Sequence, residues 1–165
     1  MVTHRIATLV LLVAVSVGGV ANSALGTHFG CVASIAPREV ASGATGVDFD
    51  LTVTNGFMVL GEVPSSFVDP VNHVSAVMAP GFSLVSASAP APWQVFLHSR
   101  WPIVRYREGN MSAFQSVTFG FEADVPTVSS ERSWEFQIQA SLDDGDTYTD
   151  CDPEFEGATT VTVRP

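Results

Sequence analysis

The chain has 165 residues, 46% of them hydrophobic, and a formal net charge of −10; all seven basic residues are arginines. That apolar content excludes a disordered tail and suffices for one buried core. The acidic balance argues against nucleic acid and against anionic membrane surfaces as partners.

The first element in chain order is an export signal. His4 and Arg5 precede an apolar run from Ile6 to Val20, and Ala21-Asn22-Ser23 places small residues where a signal peptidase reads. A signal peptide over residues 1–23 is therefore expected, with cleavage after Ser23 or one residue later, and a domain over 24–165. The run is short for an uncleaved anchor, and Cys31, preceded by His28-Phe29-Gly30, lacks a lipobox. No second apolar run of spanning length follows, so no transmembrane segment is expected after cleavage, and the location is secreted, extracellular or periplasmic. In an oxidising compartment Cys31 and Cys151 pair by default, closing most of the domain into one loop.

Beyond the signal, period-two alternation dominates. Cys31 to Ile35 predicts a first short strand, stopped at Pro37. Val47, Phe49, Leu51 and Val53 alternate with Asp48, Asp50, Thr52 and Thr54, and Asn55-Gly56 marks a turn. Irregular strands follow over Val71 to Met78, Phe82 to Ala87, Trp93 to Leu97 and Ile103 to Tyr106. The alternation returns at Val117, Phe119, Phe121 and Ala123, at Trp134, Phe136, Ile138 and Ala140, and at Val161 and Val163. Gly and Pro sit at the joints, and no window carries a capped 3.6-residue stripe, so no long helix is expected. About eight or nine short strands with turns between them predict an all-β fold, an antiparallel β-sandwich, with a small closed barrel as the alternative. Trp93 and Trp134 are expected between the sheets.

The run Ser34-Ile35-Ala36-Pro37, Ala41-Ser42-Gly43 and Val47-Asp48-Phe49-Asp50-Leu51-Thr52-Val53-Thr54-Asn55 resembles the opening of Ig-like modules of secreted and surface proteins of bacteria and archaea, the CARDB-like and DUF11-like group. Ala79-Pro80-Gly81-Phe82, Ala89-Pro90-Ala91-Pro92-Trp93, Val104-Arg105-Tyr106, Ser116-Val117-Thr118-Phe119-Gly120-Phe121 and Val125-Pro126 continue the likeness over roughly residues 33–142. The resemblance implies an Ig-like sandwich used in adhesion, scaffolding or display, with no active site to carry over. A fainter likeness is to YcnI-like periplasmic copper-binding domains. It implies copper held by a histidine at the mature N-terminus, a place taken here by Ala24, with His28 the nearest histidine.

Two tracts are candidate sites. Asp143, Asp144, Asp146 and Asp150 supply oxygen ligands at near-alternate positions, as calcium needs, but lack the spacing of an EF-hand, and Asp144-Gly145 also fits a hairpin turn. Trp101, Arg100, Arg105 and Arg107 form an aromatic and basic patch suited to an extracellular protein or glycan. His28, His73 and His98 show no metal-ligand spacing and are expected at the surface or partly packed. Asn110-Met111-Ser112 is a glycosylation sequon in an expected turn. No G-x-S-x-G elbow or other catalytic pattern occurs, and no enzyme and no cofactor are expected. The reading is a secreted, non-catalytic Ig-like module for binding, adhesion or structure, with an exported calcium- or copper-binding protein as the alternative.

Overall fold

The computed structural model describes residues 30–56, 69–98 and 100–165; the expected signal peptide and His28 lie outside them. The described chain is all-β. One sheet has the order Asp152–Pro153 (β12), Cys31–Ala36 (β1), Val47–Asn55 (β3), Ser116–Asp124 (β8), Ser83–Ser88 (β5). A second runs Thr149–Asp150 (β11), Gln137–Ser141 (β10), His73–Val77 (β4), Ile103–Arg107 (β7), Gln94–Leu97 (β6). A short third sheet joins Glu39–Ala41 (β2), Thr160–Arg164 (β13) and Arg132–Glu135 (β9).

The third sheet extends the second. Trp134 to Ala140 reads as one alternating strand, but β9 pairs with β13 and β10 with β4, and the change of partner falls at Phe136, whose N–H donates to the Thr159 carbonyl. The first strand likewise changes sheets after Pro37, so that β1 pairs antiparallel with β3 and β2 pairs parallel with β13. The result is an Ig-like sandwich: a first strand shared between the layers, one sheet ordered like strands A, B, E and D, and an opposing sheet built around G, F and C. The β6–β7 hairpin widens that second sheet.

Alternation decides which side chains fill the space between the layers. From the first sheet Phe49, Leu51, Val53, Phe119 and Phe121 point inward; from the second come Val74, Ala76, Val104, Tyr106, Ile138 and Ala140, all buried. Phe49 stacks on Phe121 at 5.1 Å, and Phe82 meets Phe136 edge-on at 5.0 Å. Tyr106 stacks on Phe119 at 4.3 Å and sends its hydroxyl across the interior to the Gly120 carbonyl, 3.0 Å away. Burial in this apolar setting pushes the Tyr106 hydroxyl well above its ordinary pKa. Trp93 is 7% exposed and meets Phe119 edge-on. Its indole lies where a Cβ at Gly109 would stand, 2.0 Å from two ring atoms, so only glycine fits there. Trp134 is only partly buried, capping the Phe82 ring edge-on at the rim.

Cys31 and Cys151 form the disulfide, with a sequence separation of 120. It ties the start of β1 to the segment between β11 and β12. Asn55 departs from its expected turn role. It ends β3, fully buried, and its Nδ2 donates to the carbonyls of Asp69 and Met111, 2.9 and 2.8 Å away. The side-chain amide thus ties the end of β3 to the segments around Asp69 and Met111, beside the backbone bonds that join Val71 to Met111.

Candidate functional site

The two candidate tracts lie far apart in sequence and come together on the outer face of the second sheet. Pairing explains this. Arg105 lies opposite Ser75 and Phe96, and Arg107 opposite Gln94, in registers that point these side chains away from the core. On the other side of β4, Gln137 and Gln139 share that outward face, and Asp150 of β11 lies opposite Gln139. The chain connecting β10 to β11 is Leu142 to Tyr148. Asp144 (φ 57) and Gly145 (φ 86) both take left-handed conformations, the geometry of a tight hairpin turn.

The acidic residues of this turn are engaged separately. Asp143 Oδ1 accepts from the Ser141 hydroxyl at 2.7 Å and from the Thr147 N–H at 2.9 Å. Those bonds, the serine's first, hold its carboxyl down at about 2. Asp144 Oδ1 accepts from Asn72 Nδ2 at 2.7 Å, and Asp150 Oδ1 accepts from both Gln137 and Gln139 at 2.9 Å. Asp146 donates its backbone N–H to the Asp143 carbonyl, closing the turn, and its side chain is exposed. Among the described residues no three His, Cys, Asp or Glu side chains are gathered as a metal would need.

The basic and aromatic residues are arranged differently. Arg107 lies over the Phe96 ring, its Cζ 4.8 Å from the centroid, and Arg105 over the Tyr148 ring at 5.4 Å. Both arginines are half-buried. Trp101 is 63% exposed in the turn between β6 and β7, beside exposed Arg100, with Phe96 and Leu97 exposed on the preceding strand. His98 holds that turn: its Nδ1 accepts the N–H groups of Arg100 and Trp101, each at 3.2 Å.

His73, expected at the surface or partly packed, is instead buried. It is 7% exposed, with its ring against Gly145, where a Cβ would come within 3.3 Å of the imidazole Cδ2. Its Nδ1–H donates to Asn72 Oδ1 at 3.0 Å, because the Asn72 amide nitrogen is committed to Leu142 and Asp144. Desolvation first, then the Arg107 charge, lowers its pKa below the ordinary 6.5. Sequence neighbours alone gave no sign of this, since the turn covering His73 arrives from a distant segment. His98 and Asn110 are both exposed.

No protein-family model and no curated protein matches the chain. Among solved structures, a non-cellulosomal cohesin from Archaeoglobus fulgidus aligns at 11% identity and TM-score 0.48, covering 82% of this chain and 90% of that one. An immunoglobulin-like protein from Nocardia farcinica aligns at 15% identity and TM-score 0.45, covering 84% and 97%. The collagen-binding domain of a Staphylococcus aureus adhesin aligns at 7% identity and TM-score 0.40, covering 83% and 97%. The sandwich itself is defined by the strand pairing of this chain.

Proposed function

We propose that this chain is an exported, non-catalytic Ig-like module that engages an extracellular partner through the outer face of its second sheet. The observation that carries the reading is the β6–β7 hairpin and its surroundings. Phe96 stands exposed beside Arg105 and under Arg107, and Leu97, Arg100 and Trp101 stand exposed at the end of the same hairpin, whereas the other large aromatics among the described residues mostly fill the core. Exposed aromatics with guanidinium neighbours are the composition of a contact surface. The apolar run before residue 24 and the Cys31–Cys151 bridge support export to an oxidising compartment, secreted or periplasmic. The calcium alternative has less support, because Asp143, Asp144 and Asp150 each bind a different protein partner.

The test is expression of the full chain in its own host, followed by mass spectrometry of the exported form and co-sedimentation with isolated cell envelopes. The expected product begins near Ala24 with the disulfide formed, and Trp101→Ala with Phe96→Ala reduces envelope binding at least about tenfold, the scale of one lost hot spot. Retention of the unprocessed chain in the cytoplasm, or binding indifferent to both substitutions, would overturn the proposal.

A further inference from the structure

Resting on that reading, the geometry points to a uronic acid residue of an acidic glycan as the ligand, its carboxylate held by Arg105 and Arg107. Among the described residues Arg38, Arg100 and Arg132 are also without an ion pair but are exposed, whereas Arg105 and Arg107 are half-buried. Arg164 is paired with Glu39 at 2.9 Å and Glu131 at 3.1 Å. Arg105 and Arg107 have no carboxylate within salt-bridge distance among the described residues, and their guanidinium groups make no hydrogen bond there; the Nε of each is buried without an acceptor.

The carboxylates that share the face are occupied by amides instead. Asp144 is bound by Asn72, Asp150 by Gln137 and Gln139, and Glu108 by Gln94. This leaves the Arg105 and Arg107 guanidinium groups without an acceptor among the described residues, with the Tyr148 hydroxyl also buried and unpartnered. A carboxylate is an acceptor only, and it is planar, so it matches the edge of a guanidinium in two parallel bonds. The Phe96 and Tyr148 rings hold both guanidinium planes in place before anything binds, which reduces the ordering cost.

Why a sugar carries that carboxylate follows from the surroundings and from the net charge. Gln94 and Gln139 lie on the same face and suit ring hydroxyls, while Trp101 stands exposed at the end of the β6–β7 hairpin for stacking. A net charge of −10 repels dense polyanions. A uronate chain carries one carboxylate per ring, more widely spaced than the charges of an acidic peptide, and suffers less of that repulsion.

The test is calorimetric titration of the exported, disulfide-bonded protein at physiological salt with oligogalacturonate, neutral dextran, poly-L-glutamate and inorganic sulfate as separate probes. Binding is expected for oligogalacturonate alone. Arg105→Gln with Arg107→Gln is expected to weaken it at least tenfold without moving the melting temperature. Lysine at both positions should restore only part of the affinity, because lysine keeps the charge and loses the fork. No binding of oligogalacturonate overturns the inference. Equal binding of poly-L-glutamate, or displacement by millimolar sulfate, overturns the sugar and leaves a general anion site. If envelope binding still depends on Trp101 while oligogalacturonate fails, this inference falls and the proposed function stands. If oligogalacturonate binds through the arginines but Trp101 and Phe96 are indifferent on envelopes, the reverse holds.

Discussion

The two outer faces of the sandwich are both polar but differ in what they leave unpaired. On the first sheet the outward residues are short, and they satisfy one another across strands. Thr52 and Thr118 share a hydrogen bond at 3.0 Å, Thr54 and Ser116 one at 2.7 Å, and Ser86 donates to Glu122 at 2.9 Å. On the second sheet the amides pair with carboxylates in the same way, but Arg105 and Arg107 are stacked on aromatic rings and their guanidinium groups lack acceptors among the described residues. A face whose hydrogen bonds close on themselves contributes to pairing and needs nothing further. A face with unused donors is organised for a group that is not part of the fold.

That contrast can be broken or sharpened by experiment. The largest effect should come from the staple common to both faces. With 120 residues between its cysteines, replacing Cys31 and Cys151 by serine should cost roughly 4–5 kcal/mol in the chain-entropy account, read as a lower urea midpoint. Next, Gly109→Ala drives a methyl group into the Trp93 indole and should cost about 1–3 kcal/mol. It displaces the end of β7, so it should disturb the second face, and chemical shifts of Ser86 and Glu122 on the first should stay in place.

The third effect is one of pH. His73 has its folded pKa below the unfolded 6.5, so the unfolded chain takes up the proton first. Its contribution to stability is complete above 6.5 and declines as the pH falls through the folded value. Urea unfolding at pH 7.5 and 5.5 should show the decline, and His73→Gln should flatten it. Asp143 acts lower: its contribution fades from the ordinary carboxylate range down through about 2, so a carboxyl titration by NMR separates the two. The smallest effect belongs to the first face. Thr52→Val with Thr118→Val removes both members of an exposed pair and should change stability by no more than about 0.5 kcal/mol. A large loss would show that this face is less self-contained than its bonds indicate.

Alternation made most of the fold legible. The runs at Val47, Val117 and Val161 become β3, β8 and β13 almost residue for residue, because each buries one side only and a slip would expose it. The pieces missed are short or irregular: β2, β11 and β12 have two or three residues, too few to show a period, and they exist because a neighbouring strand supplies the pairing. The run at Trp134 has an unbroken pattern, and nothing in a period of two marks where a strand changes partner. The candidate site was legible as parts. Trp101 and the arginines were marked by composition, but the meeting of Arg105 with Tyr148, and of both Arg105 and Arg107 with His73, depends on β4 lying between β7 and β10, a non-local fact.

The disulfide also decides how the molecule carries load. Tension applied between Gly30 and Pro165 enters at Cys31, crosses the sulfur bridge to Cys151, and from there stretches only the segment that follows Cys151. Between the two cysteines β2 and β9 take load through their pairing with β13, while the strand of Arg105 and Arg107 cannot be drawn out as long as the bridge holds. A partner held on that strand would keep its surface while the chain was pulled.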